Sequence, residues 1–144
     1  GNGRGNFYGC NYTLNMGNSG TGARLLMGLI AGSNIEATFI GDESLSKRPM
    51  QRITSPLKET GATIGKQTNN LPIKIKGNKI VLPIEYESSV PSAQVKSSIL
   101  LAGLSKKKYY FDVILDSKYR TIVIRQHRRH PNTPDIRFIP IHCI

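Results

Sequence analysis

From Leu14 to Leu104, segments whose apolar residues recur every three or four positions alternate with short segments dense in β-branched and aromatic residues. This alternation limits the folds open to the chain more than any other feature, because helices and strands in turn imply a layered α/β architecture. The run "TGARLLMGLIAG" sets Leu25, Leu26, Leu29 and Ile30 on one helical face, with Gly32 where a left-handed cap would close the helix. "IEATFIGD" reads as a strand stopped by Gly-Asp. "RPMQRITSPLKETGA" carries Pro49 near a helix start, Met50, Ile53 and Leu57 at helical spacing and Gly61 at its end, while Pro56 argues against a straight axis. "LPIKIKGNKIVLPIEY" alternates apolar and basic residues on both sides of Gly-Asn, the pattern of a hairpin with one wet face. "VPSAQVKSSILLAGL" reads as a loop feeding a helix, with Val95, Ile99, Leu100 and Ala102 inward and Gly103 at its end. The predicted order is β, α, β, α, β, β and a further helix. Past Leu104 the patterning degrades: two strands are expected in "KKKYYFDVILDSKYRTIVIRQHRR", and "HPNTPDIRFIPIHCI" promises little beyond turns and a short apolar end.

With 144 residues and 38% hydrophobic content the chain has room for about one core-forming domain. No apolar run is long enough to cross a membrane, the first thirty residues lack the build of a signal peptide, and a cytoplasmic protein is the expectation. Cys10 and Cys143 are far apart and form no CxxC pair, so neither a zinc site nor a disulfide framework is signalled. "NYT" at Asn11 is too short a pattern to argue for glycosylation in such a chain.

The net charge of +11 is unevenly spread. Up to Leu104 there are 11 Lys and Arg against 6 Asp and Glu; from Ser105 onward 9 stand against 3, together with all three histidines. His127, His130, His142 and Cys143 fit no common metal-ligand spacing. Neither a Gly-x-Ser-x-Gly elbow nor a His-Glu-x-x-His pair is present, and Asp42 with Glu43 reads as a solvated loop rather than an acid/base dyad.

Three segments could meet an anion, each with a structural alternative. In "MGNSGTGAR" the glycines let backbone N–H groups converge at a helix start, with Arg24 one turn inside; the alternative is a tight turn in which Ser19 or Thr21 is simply the N-cap. In "SLSKRPM" Lys47 and Arg48 precede the proline, where an arginine fork could grip a carboxylate or phosphate; the alternative is a solvated pair. In "PSAQVK" Ser92 and Gln94 open a helix as hydrogen-bonding groups, or as an ordinary cap. The opening loop is neither a P-loop nor a dinucleotide fingerprint.

In this order, "GNSGTGARLLMGL", "FIGDESLSKRPMQRITSPLKETGA", "LPIKIKG" and "PSAQVKSSILLAGL" resemble the EPSP synthases, the 3-phosphoshikimate 1-carboxyvinyltransferases. The resemblance covers Leu14 to Leu104 and is to the bacterial class carrying "SAQVK"; the sister UDP-N-acetylglucosamine enolpyruvyl transferases have a catalytic-loop cysteine with no counterpart here. It implies an α/β (α+β) chain of βαβαββ units of the enolpyruvyl transferase fold, an inside-out α/β barrel, here incomplete. The implied reaction moves the enolpyruvyl group of phosphoenolpyruvate to the 5-hydroxyl of shikimate 3-phosphate through a tetrahedral intermediate, on the route to chorismate and the aromatic amino acids. No metal or organic cofactor is implied, and the family enzyme is expected to be a monomer. Gly20, Thr21, Arg48 and Gln94 match the phosphoenolpyruvate-binding positions, and Ser92, Ala93 and Gln94 the shikimate 3-phosphate segment. None of the family's proton-transfer residues matches a position in the chain, so no catalytic residue is assigned. Gly20 stands where some glyphosate-tolerant members carry alanine, which implies a glyphosate-sensitive parent.

The family's two lobes each hold three such units, so residues 1–104 are expected to be part of the N-terminal lobe and residues 105–144 a basic tail without resemblance. The Lys-Ser-Arg motif expected before Gly1, the acid/base Asp and Lys, and the arginines of the other lobe are absent, so the chain alone is expected to be inactive. A second reading makes the tail a nucleic-acid-binding module through Lys106, Lys107, Lys108, Arg125, Arg128 and Arg129, with Tyr109, Tyr110 and Tyr119 stacking on bases. The simultaneous change of charge, histidine content and resemblance near Leu104 points to a reading-frame shift or truncated gene. Translating the encoding DNA in its two other frames is expected to restore a continuation like the family's; if neither frame does, the shift did not occur.

Overall fold

The computed structural model describes residues 7, 11–87, 92–104, 109–115, 121–124, 127–128 and 136–140. Strand β1 (Asn11–Asn15) leads through a glycine loop into helix α1 (Gly20–Ala31), and β2 (Glu36–Ile40) follows. A single turn, α2 (Glu43–Ser46), precedes α3 (Gln51–Glu59), after which come β3 (Thr63–Ile64) and β4 (Ile73–Lys76). Apart from the extra turn α2, this is one complete βαβαββ unit. Its four strands form one sheet in the order β1-β2-β4-β3, with β1 and β2 parallel and the pairs to β4 antiparallel. A further stretch begins with β5 (Ile84–Glu87) and α4 (Ala93–Leu104).

The sheet has one dry and one wet face, and the sequence dictates which is which. In "IKIK" the isoleucines Ile73 and Ile75 are buried and Lys74 and Lys76 exposed, as period-two alternation requires. On the wet face Lys74 Nζ meets Glu36 of β2 at 2.7 Å. On the dry face Ala37, Phe39, Ile73 and Ile75 pack in one core with Ala23, Met27 and Ile30 of α1, Ile53 and Leu57 of α3, and Val95, Ile99 and Ala102 of α4.

Helix α1 is turned differently from the sequence expectation. Its buried residues are Gly20, Ala23, Met27, Gly28, Ile30 and Ala31, whereas Leu25, Leu26 and Leu29 are only partly covered. The cause is the contact with α4. A Cβ on Gly28 would stand 2.1 Å from the Ser98 carbonyl oxygen, and one on Gly32 would stand 1.9 Å from that of Ala102. The two backbones meet directly, and the small residues that permit this, not the leucines, fix the rotation of α1. For the same reason Gly32 is no left-handed cap: it closes α1 with φ −82° and is glycine because Ala102 leaves no space.

The expected hairpin is also corrected. β4 pairs with β2 and β3, and β5 pairs antiparallel with β7 (Thr121–Ile124). Gly77 is not a turn glycine; its N–H donates to Ile35 O at 2.9 Å, and a Cβ there would lie 1.9 Å from Ser33 O. The chain therefore passes beneath the end of α1 instead of reversing. The two-residue β3 is too short to leave a period in the sequence. Gly61 behaves as expected, with φ +94° just after α3, and Gly103 lies inside the last turn of α4.

Past position 104, both expected strands form, as β6 (Tyr109–Leu115) and β7. Two more were not expected: β8 (His127–Arg128), antiparallel to β6, and β9 (Ile136–Pro140), parallel to it. β9 has only five residues, and its pairing partner lies more than twenty positions away, so no local periodicity announces it.

Gly28→Ala is expected to destabilise the chain by about 3 kcal/mol or more, since the added methyl meets backbone that cannot move aside. Gly17→Ala, at φ +53° with nothing within 4 Å, is expected to cost only about 1 kcal/mol for its left-handed backbone. Urea unfolding of the two variants checks the ranking.

Candidate functional site

Parallel pairing of β1 and β2 sends the chain out of both strands at the same edge, the place where open α/β sheets carry their sites. The two exit loops are tied together: Met16 N–H donates to Ile40 O and Asp42 N–H to Gly17 O, each at 2.9 Å. At α1, Ser19 is the N-cap, accepting from Gly22 N–H at 3.2 Å. The capping alternative is therefore correct for Ser19, and it leaves Thr21 at the second helical position with its hydroxyl available to other partners.

The helices α1 and α4 run in the same direction. Arg24, Gly28 and Gly32 succeed one another at four-residue intervals on α1, and Gln94, Ser98 and Ala102 do so on α4. The backbone contacts at Gly28 and Gly32 fix the pairing, and one turn earlier it brings Arg24 against Gln94. Arg24 Nη1 donates to Gln94 Oε1 at 2.7 Å, and Gln94 Nε2 donates to Thr21 Oγ1 at 2.9 Å. Ser92 caps α4, accepting from Val95 N–H at 3.4 Å. Both helix N-termini, with the positive ends of their dipoles, thus face one cleft.

Arg48 enters from the β2 exit loop. Its Nη2 donates to Asn18 Oδ1 at 2.5 Å, which lays the guanidinium across the glycine loop. Gly20 makes room for it: a Cβ at this position would stand 3.1 Å from Arg48 Nη1 and 3.4 Å from Arg24 Nη1. Lys47 does not join this group. It pairs with Glu43 at 2.6 Å on an exposed surface, as the solvated reading of the Lys-Arg pair had it. Asp42 caps α2 through Leu45 N–H at 2.7 Å and is structural.

Arg24, Pro49, Arg52, Ile53, Ser92 and Gln94 line a cavity of about 220 Å³ between α1, α3 and α4. Arg24 and Arg52 in its lining, with Arg48 close to Arg24, make it cationic. Burial first, and then the charges of Arg48 and Arg52, push the Arg24 pKa below its usual value. An anion in the cleft would relieve that repulsion. Of the residues proposed from sequence, Ser92 and Gln94 line this cavity, Thr21 reaches it through its bond to Gln94, and Gly20 and Arg48 stand beside Arg24; Ala93, the first residue of α4, is exposed. Arg52 and Asn18 were not proposed. Asn18 carried no signal beyond the loop composition, whereas Arg52 stands four residues after Arg48, a spacing that could have placed both on one side.

Among the described residues no group of His, Cys, Asp or Glu could hold a metal ion, and no helix is long and apolar enough to cross a membrane. Of the residues weighed for metal or nucleic acid, Lys106, Lys107, Lys108, Tyr119, Arg125, Arg129, His130, His142 and Cys143 lie outside the described residues. Tyr109 and Tyr110 are on β6, and His127 and Arg128 form β8.

Fold and cleft together define an α/β protein whose parallel-strand loops and helix N-termini converge arginines, an amide and hydroxyls on one point. The family model that matches is that of EPSP synthase (3-phosphoshikimate 1-carboxyvinyltransferase), over residues 2–125, and the chain belongs to this family. It is 59% identical over 93 residues to the 3-phosphoshikimate 1-carboxyvinyltransferase of Parvibaculum lavamentivorans and 54% identical over 94 residues to that of Rhodopseudomonas palustris strain BisB5. Each match covers 64% of this chain and 21% of the relative, so the chain spans about a fifth of the length of the curated relatives it matches. The solved EPSP synthase of Acinetobacter baumannii is 44% identical with a TM-score of 0.62, covering 68% of this chain and 22% of that one. None of these matches supports the nucleic-acid alternative.

Gly20→Ala is expected to keep folding stability within about 1 kcal/mol, because the new methyl meets side-chain ends that can yield. The Arg48 Nε–H resonance should shift as the guanidinium moves; an unmoved resonance would contradict the contact.

Proposed function

We propose that residues 1–104 form part of the N-terminal lobe of a 3-phosphoshikimate 1-carboxyvinyltransferase and supply one wall of its substrate cleft, with residues 105–144 as a basic tail. In this reading Gly20, Thr21, Arg48 and Gln94 bind phosphoenolpyruvate, and Ser92, Ala93 and Gln94 bind shikimate 3-phosphate. The observation that carries it is the position of Gln94, whose amide reaches both Thr21 of the glycine loop and Arg24, while its own helix start holds Ser92 and Ala93. One side chain thereby bridges the segments assigned to the two substrates. Both substrates are polyanions, and the cleft offers what polyanions require: an arginine fork, helix N-termini and neutral donors.

The wall's chemistry is positioning and charge stabilisation. Arg48 would hold the phosphoryl group in a two-pronged grip, and the N–H groups around Gly20 and Thr21 would face its oxygens. Oriented donors of this kind lower the barrier of an addition–elimination reaction without a protein nucleophile. Proton transfer and the facing half of the anion clamp would come from elsewhere in a complete enzyme, a cytoplasmic monomer by family likeness. With glycine and not alanine at position 20, such an enzyme would be sensitive to glyphosate by family likeness.

The 144-residue chain alone is expected to release no phosphate from phosphoenolpyruvate in the presence of shikimate 3-phosphate; turnover by the purified chain would overturn this division of labour. In a complete enzyme carrying this segment, Arg48→Ala should lower kcat/KM for phosphoenolpyruvate by about a hundredfold, the loss of a charge-assisted bond of roughly 1.5–3 kcal/mol. A change of less than about threefold would remove Arg48 from the site.

A further inference from the structure

An arginine side chain carries five N–H donors and no acceptor. Arg24 Nη1 lies 2.7 Å from the Gln94 side chain, so Gln94 has to present its oxygen there. The amide is planar, and its NH2 is consequently turned the other way, onto Thr21 Oγ1 at 2.9 Å. The Thr21 oxygen accepts that bond, which leaves the hydroxyl proton for donation elsewhere. Thr21 is exposed at the second position of α1, where its backbone N–H has no intrahelical acceptor either.

We propose, resting on the reading of the cleft given above, that Arg24 is a positioning residue: acting through the Gln94 amide, it holds the Thr21 hydroxyl as a hydrogen-bond donor toward the phosphoryl anion at the glycine loop. The Thr21 hydroxyl, the Thr21 N–H and the Arg48 fork then all donate, a set suited to a fully ionised phosphoryl group that can only accept. Without Arg24 the amide is free to turn over. Its oxygen can then face Thr21 and capture the hydroxyl proton, and the donor is lost although Thr21 and Gln94 are both still present. Arg24 thus sets the polarity of a chain of three side chains drawn from α1 and α4.

The test is a double-mutant cycle on the 144-residue chain, titrated with inorganic phosphate and followed through the Gly20 and Thr21 backbone amide resonances. Thr21→Val is expected to weaken phosphate binding about tenfold in the parent. In an Arg24→Met background the same change should cost less than about twofold, and the charge lost with Arg24 cancels from this comparison. An equal cost in both backgrounds overturns the proposal. If Arg24→Met does not keep the parent's spectrum, Arg24→Gln, which is neutral and cannot impose a polarity, replaces it. If the parent binds no phosphate, the anion-binding reading of the cleft fails, and the ligand-free chain decides the relay on its own. There, displacement of the Gln94 side-chain NH2 resonances by both Thr21→Val and Arg24→Met supports it, and constancy under either substitution overturns it.

Discussion

Contact between the backbones of α1 and α4 is the constraint on which the rest depends. Gly28 and Gly32 let Ser98 and Ala102 approach until carbonyl oxygens occupy the space where Cβ atoms would be. Close approach does two things. It turns α1 so that Met27 and Ile30 enter the core, and it sets the pairing of the helices so that the next turn toward their N-termini places Arg24 against Gln94. The site is thus the polar end of a packed stripe whose apolar end is core. A pair of helices separated by ordinary side chains would stand a few ångströms further apart, and the Arg24 to Gln94 bond would not close.

The second constraint is the parallel pairing of β1 and β2. It brings the loop after each strand to the same edge, and the bonds from Met16 to Ile40 and from Asp42 to Gly17 hold the two loops together. Asn18 in the first loop can then meet Arg48 from the second, thirty residues away in sequence. Gly20 admits the guanidinium by having no side chain.

Burial of Arg24, and then the nearby charges of Arg48 and Arg52, disfavour its charged form and lower its pKa. The chain offsets this with the buried core beneath and with neutral acceptors, Gln94 Oε1 and Asn18 Oδ1, for two of the three guanidinium groups. Among the described residues neither Arg24 nor Arg48 forms a close ion pair with a carboxylate.

Local spacing and motifs alone were enough for the α/β alternation, the two faces of "IKIK", the glycine after α3, and the cap and inward positions of α4. They did not determine which face of α1 would be buried, that Gly77 would pass beneath α1 instead of turning a hairpin, or that β9 would form beside β6. Those depend on contacts between residues far apart in the chain. Arg24 and Gln94 show the difference most plainly: seventy positions separate them, nothing near either one announces the other, and only the glycine contact between two helices brings them within a hydrogen bond.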